Sequence, residues 1–152
     1  MQKYQENYEN AKHHLEIAEH MAYVSMPILE DTRFIIKIFD EIYKSLVFMM
    51  RALLQYESSR NKIRLYNNSD LNLKTFKTNI APHYLSLDDL KNIDLILKLK
   101  IAHNNSLSEF VRNDKFVFFL GDGYELITLE SIKELIKTLE NLILSTDNLK
   151  KP

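Results

Sequence analysis

The chain contains no cysteine, two glycines and three prolines in 152 residues. Without cysteine, neither a disulfide framework nor a thiolate metal site can form, a composition that suits a reducing compartment. Scarce glycine and proline disfavour folds built from many tight turns and favour long helices. Charge of one sign is also missing: 20 basic and 21 acidic residues leave a formal net charge of −1. A dedicated nucleic-acid binder usually carries a basic excess or block, and neither is present overall. The first ten residues, MQKYQENYEN, lack the basic-then-apolar layout of a secretory signal.

What is present is a thickly apolar segment from Asp31 to Tyr56. Ile35, Phe39, Ile42, Leu46, Met49, Leu53 and Tyr56 recur at spacings of four and three, and Ile36, Tyr43, Val47, Met50 and Leu54 form a second stripe beside them. A helix apolar over so wide an arc must be covered on more than one side, which makes it the spine of a helical bundle. Lys37, Asp40, Glu41, Lys44 and Arg51 interrupt it. Each charge deep in a bilayer costs about 2.5–3.5 kcal/mol, so no membrane role is expected. The balance of 45% apolar and 27% charged residues is that of a soluble globular domain, expected to be single, to span 1–152 and to be cytoplasmic.

Around the spine, a first helix is expected over Gln5–Ser25, with Tyr8, Ala11, Leu15, Ala18 and Ala22 inward, Ile17, Met21 and Val24 widening that face, and Pro27 ending or kinking it. The short connection implies an antiparallel hairpin with the spine, which Asp31 or Thr32 would cap. An irregular connection follows over 58–86, with one short helix near Asp70–Ile80 closed by Pro82. Ser86 with Asp89 resembles a capping box and opens a third helix, Leu87–His103, with Leu90, Ile93, Leu97 and Ile101 inward. A β-hairpin is read over 115–129, turning at Gly121-Asp122-Gly123. A last helix runs from near Thr128 to Ser145, with Ile132, Leu135, Ile136, Leu139, Leu142 and Ile143 inward, and 147–152 is a frayed tail. The expected fold is mainly α: an antiparallel four-helix bundle with a small β-hairpin before the last helix.

Candidate chemistry is sparse. Glu9, His13, Glu16 and His20 share one stripe and could in principle ligate a metal. They lie opposite the apolar face, so they are expected to point to water, and neither a metal nor a cofactor is assigned. His14 flanks the core face and is read as a boundary histidine with one hydrogen-bond partner. Arg60, Lys62 and Arg64, followed by Tyr66, Lys74 and Lys77, interleave cations with an aromatic ring, a pattern that can hold single-stranded nucleic acid. The reading preferred for them is a solvated loop, because Asp70, Asp88 and Asp89 dilute the field. Ser108–Asp114 is read as the hairpin's anchor, with Phe110 as a plug and Glu109 near Arg112.

Lys98, four intervening residues and His103 end the third helix. Here the chain resembles the HEPN superfamily, small helical bundles that often carry Arg, four residues and His near a helix end. The resemblance implies metal-independent RNA cleavage, with His103 as acid/base and Lys98 as the cation. Lysine departs from the pattern because it lacks the planar fork of arginine. The layout is also similar to small uncharacterised helical proteins of archaea, in which a Ser-x-x-Glu-Phe-x-Arg stretch, here Ser106, Glu109, Phe110 and Arg112, precedes a hairpin. That likeness implies no activity.

The leading expectation is a non-enzymatic interaction module that presents a helical surface to a protein partner or to itself. Phe34, Phe48, Met49 and Met50 are expected at that interface, since the apolar arc of the spine exceeds what its neighbours need. The alternative is an RNA-binding or RNA-cleaving domain that uses His103 and Lys98.

Overall fold

A computed structural model describes residues 2–104, 110–112, 115–119 and 123–150. The chain is mainly helical, with a small antiparallel sheet before the last helix. Five helices stand among the described residues: α1 (Lys3–His20), α2 (Phe34–Ser59), α3 (Ser69–Thr75), α4 (Leu87–Asn104) and α5 (Leu129–Ser145). The strands are β1 (Phe110–Arg112), β2 (Lys115–Phe119) and β3 (Tyr124–Ile127), in the order β1-β2-β3. No helix among the described residues is long and apolar enough to cross a membrane.

The spine is α2, as its periodicity requires. Ile35, Phe39, Ile42, Leu46, Met49 and Leu53 are all buried, each contributing about 1.5–3 kcal/mol of apolar burial. Helix α1 runs antiparallel to it. The Asn7 amide donates to Gln55 at 2.8 Å, Ser45 Oγ donates to the Ala11 carbonyl at 2.8 Å, and His14 Nδ1 lies 2.6 Å from Glu41 Oε2. Ala11, Ala18 and Ala22 line the contact and are fully buried. Side chains this small let the two backbones approach closely, so that the buried Ser45 hydroxyl can reach a main-chain carbonyl.

Helix α1 does not stop before Pro27. It continues through a π-helical turn, Met21–Ser25, into a last α-turn, Met26–Leu29. In a regular helix Pro27 would leave the Tyr23 carbonyl unpaired and crowd it. The wider turn just before it absorbs both effects, with the Met26 N–H reaching the Met21 carbonyl instead. Pro82 is handled the same way, since a π-turn, Phe76–Ile80, precedes the short 3₁₀ turn Ala81–His83. After Leu29 the chain is turned by Glu30 at φ 51°. The spine begins at Phe34 rather than Asp31; the Asp31 carboxylate instead accepts from the Arg33 N–H at 3.0 Å and organises the approach.

Helix α4 departs from expectation. Its buried residues are Ile93, Ile96, Leu99 and Ala102, while Leu90 and Leu97 are half-buried and Ile101 is 64% exposed. The helix carries enough apolar residues to support two overlapping stripes, and packing selected the one with a spacing of three. Ser86 Oγ accepts from the Asp89 N–H at 3.2 Å, as expected of a cap. The Asp89 carboxylate does not return to the cap. It accepts from Thr138 Oγ1 at 2.7 Å and from the Asn141 amide at 3.1 Å, and Asn92 donates to Thr138 at 2.9 Å, which ties α4 to α5.

The hairpin is present as β2 and β3, paired Phe116↔Ile127 through Phe119↔Tyr124, and β1 extends it to three strands. Phe116 and Ile127 face each other and join the core. The sheet packs on α4 and α5. The turn residues Gly121 and Asp122 lie outside the described residues, as do Ser106 and Glu109. Helix α5 buries all six expected residues and opens with a reciprocal cap between Thr128 and Ser131.

The short helix expected near Asp70–Ile80 within the 58–86 connection is present: α3 continues through the π-turn to Ile80, and its cap, Asn68, accepts from Asp70 and Leu71. The tail is not frayed through Lys150. Asp147–Lys150 form a 3₁₀ turn and Leu149 is 0% exposed within the core. One apolar residue at i+6 from Ile143 sufficed to dock the turn against α1. Leu149→Ala is therefore expected to cost about 2–5 kcal/mol in a urea melt; a change within about 0.5 kcal/mol, as for a surface residue, would restore the frayed reading.

Candidate functional site

Lys98 and His103 both lie on α4. Lys98 is exposed and His103 half-buried, about 140° apart around the helix axis. His103 instead faces the spine, with Nε2 3.6 Å from Asp40 Oδ1. Lys100, three residues earlier on the same face, brings Nζ to 3.9 Å from that oxygen and 4.9 Å from the Tyr43 ring centre. Asp40 Oδ1 is buried, with no partner at hydrogen-bond distance. Two cation-forming side chains of α4 thus converge on one carboxylate of α2, at separations a small displacement would close. The signal in the sequence was Asp40 itself. Ile36, Asp40, Tyr43 and Val47 fall on one helical stripe, so an acidic residue sits in an apolar row.

The Glu9, His13, Glu16 and His20 stripe is exposed throughout. Among the described residues no three His, Cys, Asp or Glu side chains are grouped to hold a metal ion. His14 finds a partner in Glu41 and stacks on Phe48 with centroids 5.4 Å apart and planes 4° from parallel.

Of the expected interface residues, Met49 is corrected outright: it is 0% exposed and belongs to the core. Phe34, Phe48 and Met50 are half-buried against that core. Large apolar side chains are exposed elsewhere, among them Leu87, Ile101, Tyr124 and Leu144, and Tyr23, Val24, Ile28 and Leu29 at the end of the first helical segment. Val24 was expected inward but is exposed: at about 100° per residue it already lies nearly opposite the Ala11, Ala18 and Ala22 face.

The basic stretch is an exposed, irregular loop, as expected, and it also borders a hollow. Lys62, Arg64 and Tyr66 line a cavity of about 470 Å³ between the end of α2 and the segment around α3, together with Glu57, Ile80, His83 and Tyr84. Lys77 is drawn away into an ion pair with Asp94 at 2.7 Å. Arg60 lies over the Tyr56 ring at 5.3 Å and Arg64 over Tyr66 at 5.2 Å. Tyr84 OH donates to Glu57 at 3.2 Å; burial, and then the adjacent carboxylate, push its phenol up to about 12. His83, Tyr84 and Asn79 carried no signal in the sequence, because only folding brings them beside Arg64.

Between α1 and α5, burial and then the Glu140 carboxylate raise the Glu19 carboxyl above its ordinary 4.5. A raised carboxyl favours folding below the unfolded value and loses that contribution as pH rises through the folded one. Glu19→Gln is therefore expected to raise the melting temperature at pH 7, with the difference from the natural chain shrinking at pH 4. A lower melting temperature at pH 7 would contradict it.

No family model, curated protein or solved structure matches this chain.

Proposed function

We propose that this chain is a non-enzymatic interaction module that associates with a second copy of itself. In this reading α1, α2, α4 and α5 serve as an antiparallel four-helix scaffold, α3 is an insertion at one end, and the apolar end of the first helical segment is the contact face. The observation that carries it is the exposure of Tyr23, Val24, Ile28 and Leu29 within one short stretch, with Ile28 76% exposed. Exposed apolar side chains gathered in one stretch are a standing driving force for association. Phe34, half-buried at the first turn of α2, follows the patch directly across the turn. Nearby charges are of both signs, with Asp31 paired to Arg33 at 3.1 Å and Lys133 held 5.0 Å from the Tyr23 ring. A net charge of −1 offers little repulsion between copies, and a two-fold contact sets such a patch against itself. In this role the protein is cytoplasmic and uses no cofactor. Light scattering at micromolar concentration is expected to give a dimer mass, and Ile28→Glu with Leu29→Glu a monomer of unchanged helical content. A monomeric natural chain would overturn the reading.

One feature favours a second reading, an RNA-directed, HEPN-like domain: His103 keeps a cation and a carboxylate beside it, with Lys100 in the place the resemblance assigned to Lys98. A carboxylate facing a histidine can hold its ring for proton transfer. RNA cleavage by the natural chain, abolished in His103→Ala, is the expected outcome of that reading; equal background in both would end it.

A further inference from the structure

The cavity beside α3 is built rather than incidental. Its loop is pinned by Asn72, whose side chain accepts from the Tyr66 N–H and donates to the Tyr66 carbonyl, both at 2.8 Å. Arg64 is held over the Tyr66 ring, so its guanidinium is pre-oriented and loses little freedom when it meets an anion. The acidic side chain in the lining, Glu57, is engaged within the cavity wall itself: it accepts from Tyr84, which also lines the cavity, and lies in the field of Arg60. Lys62 and Arg64 make no ion pair among the described residues and line the cavity with its excess of positive charge. Ile63 and Ile80 supply an apolar wall. A volume of about 470 Å³ falls in the range of small-molecule sites, about 300–1,000 Å³.

Two cations that face one hollow are best matched by a dianion, and an apolar wall with an aromatic ring is best matched by an organic body rather than a bare ion. We propose that this cavity binds a small organic phosphate monoester, with the phosphate on Lys62 and Arg64 and the organic body against Tyr66, Ile63 and Ile80. A phosphate oxygen pair fits the fork of an arginine in a way a lone chloride does not, and the exposed face of Tyr66 can stack a ring. The site is independent of the contact face proposed above and of His103, so each can fail alone.

The test is a titration of the full chain with phenyl phosphate, followed by backbone amide NMR, with inorganic phosphate and benzoate as parallel arms. Saturable shifts concentrated in residues 57–84 are expected. Inorganic phosphate and benzoate should each bind at least tenfold more weakly, and Lys62→Ala with Arg64→Ala should weaken phenyl phosphate at least tenfold. Both residues are exposed, so the variant is expected to keep its helical circular dichroism; if it unfolds, Arg64→Gln alone carries the same comparison. The proposal is overturned if phenyl phosphate produces no saturable shifts, or if the charge-removing variant binds it as well. It is equally overturned if inorganic phosphate or benzoate binds as tightly, since the site would then not read a phosphate ester.

Discussion

The enclosure of α2 is the constraint on which the rest of the structure depends. A helix with two adjacent apolar stripes cannot stand at a surface, and everything else is arranged to keep water from it. Helix α1 covers it through Ala11, Ala18 and Ala22, side chains small enough to bring the Ser45 hydroxyl within 2.8 Å of the Ala11 carbonyl. Helix α5 reaches the same core through Ile132, Leu135, Ile136, Leu139 and Leu142, and Leu149 closes one end from beyond it. The half-buried second stripe contains Asp40, which faces Lys100 and His103 of α4.

Polar groups in the interior mark which helices belong together. The Asp89, Asn92, Thr138 and Asn141 group joins α4 to α5, and Tyr8 OH donates to the Ile143 carbonyl at 3.3 Å to join α1 to α5. These bonds contribute individually about 0.5–1.5 kcal/mol, less than a buried leucine. Their larger effect is on specificity, since a slipped helix would leave each buried group unpaired. The pair of Asp40 with Lys100 and His103 differs in kind. Its separations of 3.9 and 3.6 Å are longer than hydrogen bonds, so it does not fix helix register as the hydrogen-bonded groups do.

The two π-turns connect local chemistry to the surface the protein presents. Each stands directly before a proline, and each converts a helix break into a continuous but rotated helix. The turn at Met21–Ser25 leads into the stretch where Tyr23, Val24, Ile28 and Leu29 are exposed. The one at Phe76–Ile80 buries Phe76 and Ile80, which sets one wall of the cavity lined by Arg64 and Tyr84.

Much of the fold was legible from spacing. The inward faces of α1, α2 and α5, the cap at Ser86 and the β2–β3 pairing follow from periodicity and turn chemistry, which are local and carried by residues within a few positions of one another. The face of α4 was not legible, because Ile101 and Leu97 compete with Ile96 and Leu99 on equal hydrophobic terms and only the neighbouring helices choose. Nor was the geometry of either candidate site. Asp40 and His103 are distant in sequence and face each other. The amino-acid sequence by itself determined that a long apolar helix must be wrapped by others. Which charges then met was decided only by tertiary structure, because helix rotation and the long-range pairing of elements depend on how side chains from separate segments fill shared space.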